Sequence, residues 1–240
     1  MPDASTSPFT EALLGADVPV IMEVKRRTGE GEELIGERTI AEIVASYEAA
    51  GAPCISVVTG RWFGGTDAML EEVAGLTDRP ILKKDFITRE SQVAKAKEQG
   101  ASAILLTAKI LPKSSFQKLI ELALEHGLTP FAEVAEPAEL ESVIRAEECV
   151  LAANNKDIET QEREPGDLDV SRSLLEPIVR AGSPCPVSAS AITDPRVGAE
   201  LLEAGFKGLL VGTGLLQAES VSGWVEELVE HRHAIAAAGG

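Results

Sequence analysis

Several apolar runs in the sequence end in side chains that could move protons. The run VPVIMEVK places Glu23 and Lys25 two residues apart, with only Val24 between them. A buried carboxylate and ammonium are costly unless they are paired and hydrogen-bonded, so charged groups in such a run indicate either a structural ion pair or part of an active site. The residue types alone leave both interpretations open.

Later apolar runs end in similar residues. These are Lys83, Lys84 and Asp85, then Lys109, Glu133, Asn154 and Ser190, and the turn Gly212-Thr213-Gly214. Ammonium groups can donate protons and carboxylates can accept them, so the set could catalyse proton transfer. A turn of small residues before a helix lets backbone N–H groups face an anion such as phosphate. A solvated surface lysine is the simpler alternative for each lysine taken singly.

The elements that would position these residues alternate along the chain. Strands are predicted at 18–25, 54–59, 80–86, 101–109, 129–134, 149–155, 186–192 and 208–214, and helices at 39–51, 89–101, 114–127, 137–146 and 194–205. Eight such units predict an α/β fold, a (β/α)8 TIM barrel, in which the carboxyl ends of all strands share one face. An open doubly wound sheet is the alternative, weakened because no G-x-G-x-x-G follows the first strand.

The chain is expected to form a single domain. Residues 18–234 would be the barrel, residues 1–17 a poorly ordered lead-in with a shortened N-terminal extension, and residues 235–240 a tail. The balance of 22 basic and 39 acidic residues gives a net charge of −17. This charge argues against nucleic acid or an anionic membrane as a partner.

The three cysteines are expected to be buried, reduced thiols. Cys54, Cys149 and Cys185 are far apart in the sequence, and two of them lie in apolar runs. No signal peptide or membrane-spanning run is evident, so a cytoplasmic protein is expected, as a monomer or a weak homodimer.

Seven segments, in order from about residue 18 to residue 216, resemble one family. MEVKRRTG, ISVVTGRWFGGT, ILKKDFITRESQV, AILLTAKIL, PFAEV, ANNKDI and GLLVGTGLL are similar to indole-3-glycerol phosphate synthase of tryptophan biosynthesis. The resemblance implies a lyase that converts 1-(2-carboxyphenylamino)-1-deoxyribulose 5-phosphate to indole-3-glycerol phosphate, CO2 and water. It also implies that neither a metal nor an organic cofactor is needed.

The resemblance assigns a role to each candidate residue. Lys109 would be the general acid at the ketone oxygen, Glu133 would handle a proton in closure and dehydration, and Asn154 would bind the reacting hydroxyl. Lys25 would hold the substrate carboxylate or act as a second acid, and Glu23 would orient it. The implied substrate-binding residues are Lys84, Lys156, Phe63 (with Trp62, for stacking on the anthranilate ring), Ser190, Gly212 and Thr213.

The sequence also departs from the family pattern. Ala189-Ser190-Ala191 stands where Glu-Ser-Gly is usual, Thr28-Gly29-Glu30 replaces Ser-Pro-Ser, and Lys156 replaces an arginine. Fewer residues than usual precede the first strand. These departures leave two alternatives open: an enzyme of the same lineage acting on another phosphorylated sugar, and a non-catalytic ligand-binding barrel.

Overall fold

The computed structural model describes residues 7–158 and 166–238, and in this part of the chain eight parallel strands close into a barrel. The strands follow one another around the barrel in sequence order, and the last pairs with the first through Val20 and Leu209. They are β1 (Val20–Val24), β2 (Ile55–Val58), β3 (Ile81–Lys84), β4 (Ala103–Thr107), β5 (Thr129–Val134), β6 (Val150–Asn154), β7 (Cys185–Ala189) and β8 (Gly208–Val211). The predicted (β/α)8 TIM barrel is confirmed.

Helices surround the strands. They are α1 (Pro8–Leu14), α2 (Ile40–Ala49), α3 (Asp67–Ala74), α4 (Glu90–Glu98), α5 (Lys113–Glu125), α6 (Asp169–Ala181), α7 (Pro195–Ala204), α8 (Thr213–Leu216) and α9 (Val221–Ala238). Their starts follow local chemistry. Thr39 and Glu42 form a reciprocal capping box at α2, and the Asp194 carboxylate accepts a hydrogen bond from the backbone N–H of Arg196 at the start of α7.

Every strand residue is buried, because both faces of each strand are covered. One face packs on the helices, for example Met22 and Val24 of β1. The other face fills the barrel interior, where Ile21, Leu82 and Phe131 lie in one cluster. The alternation along each strand decides which side chains reach the site.

The lead-in before β1 differs from its prediction. Residues 8–14 form helix α1, whose Phe9 and Leu13 are fully buried at the amino-terminal end of the barrel. The ring of Phe9 meets Phe131 edge to face, with 6.4 Å between centroids. Two apolar residues one helical turn apart therefore close the barrel bottom, a pattern too short to read as a helix in the sequence.

Two other predictions also need correction. The predicted helix at 137–146 is a 3-10 helix, Pro137–Ser142, followed by Val143 in an extended conformation and Arg145 at φ 51°. The helical spacing breaks there because these backbone conformations cannot continue an α-helix. At the other end, helix α9 continues to Ala238, so residues 235–238 are helical rather than a tail.

The cysteines behave as expected. Cys54, Cys149 and Cys185 are free and buried, and burial raises the pKa of Cys149 to about 12.

Among the described helices none combines the length and apolar character needed to cross a lipid bilayer.

Candidate active site

Most of the predicted polar residues meet at the carboxyl ends of the strands. Glu23 lies near the end of β1, Lys84 at the end of β3, Glu133 near the end of β5 and Asn154 at the end of β6. All four are at least nine-tenths buried. They share one face of the barrel because all strands are parallel.

The centre of this face is a buried carboxylate between two ammonium groups. Glu23 Oε2 lies 3.2 Å from Lys84 Nζ, and Glu23 Oε1 lies 3.5 Å from Lys25 Nζ. The Ser56 hydroxyl also donates to Oε2, at 3.4 Å. Burial would raise the pKa of Glu23, but Lys84 and Lys25 together outweigh it and hold the pKa below its ordinary value. The three side chains therefore carry one net positive charge, which favours an anionic ligand.

Packing fixes this charged group in place. The Lys25 ammonium lies 5.8 Å from the centroid of the Phe63 ring, within cation–π range. The Tyr47 hydroxyl donates to the backbone oxygen of Glu23 at 2.8 Å. A Cβ at position 212 would lie 2.5 Å from Glu23 Oε1, so Gly212 is needed for this approach. Gly212 thus has a steric role in addition to the predicted phosphate contact.

Glu133 and Asn154 form a second buried pair. Asn154 Nδ2 donates to Glu133 Oε1 at 3.0 Å, and Asn154 Oδ1 accepts from the backbone N–H of Lys156 at 3.1 Å. Both polar ends of the Asn154 amide are engaged, which fixes its orientation and directs its Nδ2 to Glu133.

Three adjoining cavities open on this face. Cavity A has a volume of about 330 Å³ and is lined by Glu23, Lys25, Lys84 and Lys156 together with Glu30, residues 190–193 and the turn 212–214. Cavity B is narrow and lies between Lys25, Phe63, Lys84, Phe86, Leu105 and Glu133. Cavity C, of about 290 Å³, includes Lys109, Glu133, Asn154 and Lys156. Lys25 and Lys84 line A and B, Glu133 lines B and C, and Lys156 lines A and C.

Lys109 lines a different cavity from Lys25 and Lys84. The sequence predicts that Lys25 and Lys109 lie on one face of the barrel; on that face Lys109 lines cavity C, and Lys25 lines cavities A and B. Lys109 follows β4, and its ammonium lies 3.0 Å from the Asp157 carboxylate in the loop after β6. Lys84, by contrast, lines cavities A and B together with Lys25.

The neighbouring Lys83 serves another purpose. Its side chain points away from the barrel interior, towards the helices. There its ammonium lies 2.7 Å from Asp67 Oδ1 and 2.7 Å from Gln99 Oε1. Hydrogen bonds from Lys83 and Lys95 lower the pKa of Asp67 to about 2. Adjacent strand residues face opposite sides, so the Lys83-Lys84 pair divides into a structural lysine and a site lysine.

Phe63 and Trp62 are placed differently from each other. Phe63 is buried in cavity B, whereas Trp62 is 48% exposed and its indole N–H donates to the Gly29 oxygen at 3.4 Å.

Two site residues were missed in the sequence: Asn155 and Asp157, which flank Lys156. The second asparagine of the ANN triplet was the available signal for Asn155.

The sequence is similar to known proteins over most of its length. A family model described as "Indole-3-glycerol phosphate synthase" matches residues 2–228. The "Indole-3-glycerol phosphate synthase" of Pyrococcus furiosus is 33% identical over 216 residues, which cover 88% of this chain and 92% of that protein. That of Bacteroides thetaiotaomicron is 36% identical over 209 residues, with coverage of 84% and 75%.

Two further matches differ in extent. The "Tryptophan biosynthesis protein TrpCD" of Archaeoglobus fulgidus is 33% identical over 222 residues, which cover 91% of this chain but only 39% of that longer protein. The crystal structure of 3-hexulose-6-phosphate synthase from Salmonella typhimurium has a TM-score of 0.67 at 15% identity, covers 90% of this chain and 98% of its own, and supports the fold alone. The family match over nearly the whole length, with relatives above 30% identity, shows that the chain belongs to the indole-3-glycerol phosphate synthase family.

Proposed function

We propose that this protein is a carboxy-lyase that converts 1-(2-carboxyphenylamino)-1-deoxyribulose 5-phosphate to indole-3-glycerol phosphate, CO2 and water. The observation that carries the proposal is the buried Glu23 carboxylate between Lys84 and Lys25, two lysines that also line cavity B together with Glu133. This arrangement offers two proton donors and one acceptor to a substrate that is itself anionic.

The first step is ring closure. The ring carbon that bears the carboxylate attacks the ketone carbon, and the ketone oxygen takes a proton to become a hydroxyl. We assign Lys84 as the donor of that proton, because Lys84 lines cavities A and B whereas Lys109 lines neither of them. Loss of CO2 then returns the electron pair of the carboxylate bond to the ring. Lys25 holds the substrate carboxylate before it leaves.

The second step is loss of water. The new hydroxyl leaves with a proton, and the adjacent carbon gives up a proton to a base. Glu133 is the base in this proposal, because it lines cavities B and C and is held by Asn154. Lys109 lines cavity C with Glu133, so it acts as the acid for the departing hydroxyl rather than for the ketone.

Two parts of the site would bind the rest of the substrate. The aromatic ring would lie against Phe63, where cavity B, with a volume of about 20 Å³, would have to widen to admit it. The phosphate would lie in cavity A by Ser190, Gly212 and Thr213, with Lys156 at its edge. Glu30 lines cavity A as well, and its charge weakens phosphate binding relative to the usual serine. We therefore expect a weaker phosphate site than the family pattern gives.

The remaining expectations follow from this activity. The protein would act in the cytoplasm as a monomer or weak homodimer, as one domain that includes α1 and α9, with no metal or organic cofactor. Its partner would be the phosphorylated small molecule alone.

The direct test is turnover of the pure protein with the carboxyphenylamino-deoxyribulose phosphate, followed by indole absorbance and fluorescence. The expected result is stoichiometric indole-3-glycerol phosphate and CO2. Tight binding without product would favour the non-catalytic barrel. If the protein turned over a different phosphorylated sugar but not this compound, the alternative enzyme would be favoured. The observation behind that alternative is the absence of a carboxylate at Ala189.

A further inference from the structure

The turn after β7 has a backbone conformation that its residues do not favour by themselves. Ser190 and Ala191 have φ angles of 69° and 61°, in the left-handed region. That region is accessible to glycine but disfavoured for residues with a Cβ. Both residues line cavity A. Something in the surrounding structure must therefore hold this turn in place.

Asn155 is the residue that contacts this turn from behind. Its side-chain Nδ2 lies 3.0 Å from the Ala189 oxygen, 3.1 Å from the Ser190 oxygen and 3.1 Å from Ser188 Oγ. Its backbone N–H donates to the Ala189 oxygen as well, at 3.0 Å. Asn155 thus binds consecutive carbonyl groups immediately before and within the left-handed turn.

The other side of Asn155 is anchored to helix α6 and the segment before it. Its Oδ1 accepts from the backbone N–H of Ser171 at 3.1 Å, and its backbone oxygen accepts from Asp167 N–H at 2.7 Å. The Ser171 and Ser188 hydroxyls are 2.7 Å apart and complete the network. The amide orientation is fixed, because Oδ1 faces a donor and Nδ2 faces carbonyl acceptors.

Packing leaves the turn little room to relax. A Cβ at Gly166 would lie 2.2 Å from Ala191 Cβ and 2.7 Å from the Asn155 oxygen. A Cβ at Gly214 would lie 2.7 Å from the Ile192 oxygen. The turn is therefore held between the segment before α6 and the turn that starts α8.

We propose that Asn155 is a positioning residue that sets substrate affinity by holding Ser190 and Ala191 in the conformation that faces the phosphate. The inference rests on the proposed function, in that cavity A receives the phosphate. Asn155 acts through the turn and takes no part in proton transfer, which belongs to its neighbour Asn154. In a residue that only satisfied buried polar groups, loss of the amide would lower stability without a selective effect on phosphate.

The decisive variant is Asn155→Leu, which keeps the shape of the side chain and removes its hydrogen bonds without adding charge. We expect its Kd for inorganic phosphate, measured by calorimetry, to rise about tenfold, which is the change in affinity that the loss of about one hydrogen bond produces. KM should rise by a similar factor while kcat changes by less than about threefold. The matched control is Ser183→Ala, which removes a buried hydroxyl bonded to Cys149 and Cys185 at the opposite end of β7 and should leave both constants unchanged.

A second substitution tests the mechanism of the effect. Glycine adopts the left-handed conformation readily, so Ala191→Gly in the Asn155→Leu background should recover most of the lost phosphate affinity. Should Asn155→Leu fail to fold, Ser188→Ala removes one partner of the amide. Ser188→Ala should raise the phosphate Kd by about threefold, less than the effect expected for losing a whole hydrogen bond. Adding Ala191→Gly should again recover most of the lost affinity.

Three results would overturn the inference: an unchanged phosphate Kd in Asn155→Leu, an equal rise in Ser183→Ala, or no recovery with Ala191→Gly. Wild-type protein that binds no phosphate would also overturn it. Phosphate binding that depends on Asn155 in a protein that does not turn over the proposed substrate would support the inference and refute the proposed reaction.

Discussion

Glu23 and Lys84 are joined by a 3.2 Å ion pair in which the carboxylate side chain is 2% exposed and the ammonium side chain 9% exposed. The pair links β1 to β3 across β2, and Lys25 completes it from the other carboxylate oxygen. Such a pair is costly to build and more costly to break, because removing one partner leaves a buried charge uncompensated. In the proposed function, this pair among apolar strands would supply cations to an anionic substrate.

Glu23→Gln should lower the free energy of unfolding at pH 7 by about 3–5 kcal/mol, because Lys84 and Lys25 lose their buried partner. The folded-state pKa of Glu23 lies below its ordinary value of 4.5, so its contribution is fully present above that pH and is lost as the pH falls through the folded pKa. The difference between wild type and variant, measured by urea unfolding, should therefore shrink below about pH 4.5.

The control for this measurement is Glu33→Gln. Glu33 pairs with Arg27 at the surface, with both side chains about half exposed. Exposed pairs contribute about 0–1 kcal/mol. Equal losses in the two variants at pH 7 would contradict a special role for the buried pair.

Lys84→Met and Lys109→Met should affect different steps. Lys84→Met removes the proposed acid for the ketone oxygen, and we expect kcat to fall by about 10²–10⁴ with CO2 release and indole formation slowed together. Lys109→Met should leave CO2 release faster than indole formation, because the intermediate would wait for dehydration. A single-turnover experiment that follows both products separates the two cases.

Lys118→Met is the matched control, since Lys118 is an exposed lysine of α5 paired with Glu90. It should leave both rates unchanged. Slower CO2 release in Lys109→Met, with normal release in Lys84→Met, would assign the ketone acid to Lys109, as the family resemblance implies.

Ala189→Glu should raise kcat/KM severalfold. Ala189 ends β7 with no exposed surface, between Asn154 of β6 and Leu210 of β8 in the strand register. A carboxylate there would restore the group that the family resemblance expects at this place. The isosteric Ala189→Gln variant lacks the charge and should show no gain, so a loss of activity in both variants would indicate a site reshaped around alanine.

The sequence predicted the barrel and several of the polar side chains that gather at the carboxyl ends of its strands, because both depend on local patterns. Glu23, Lys84, Glu133 and Asn154 each close an apolar run, and parallel strands bring such ends together without further information. The division between Lys83 and Lys84 also follows from strand alternation, once the register is known. What the sequence could not give was the direction of long side chains after a strand has ended.

Lys109 illustrates that limit. It follows β4 within a short 3-10 turn, so its ammonium is directed by the turn and by Asp157 rather than by strand alternation. Asn155 was missed for a related reason. Its proposed role depends on the left-handed conformation of Ser190 and Ala191, for which the sequence offers only an indirect signal, the glycine that is usual in the family at position 191.

The amino-terminal helix provides the last prediction. Phe9→Ala should lower the free energy of unfolding by about 3–5 kcal/mol, because Phe9 is fully buried against Phe131 at the base of the barrel. Leu14→Ala on the same helix should change it by less than about 0.5 kcal/mol, since Leu14 is 42% exposed. Urea unfolding of both variants tests the difference. Because Phe9 lies at the end of the barrel opposite to Glu23 and Lys84, kcat of folded Phe9→Ala should match wild type. A small, equal effect of the two substitutions would mean that α1 does not close the barrel in solution.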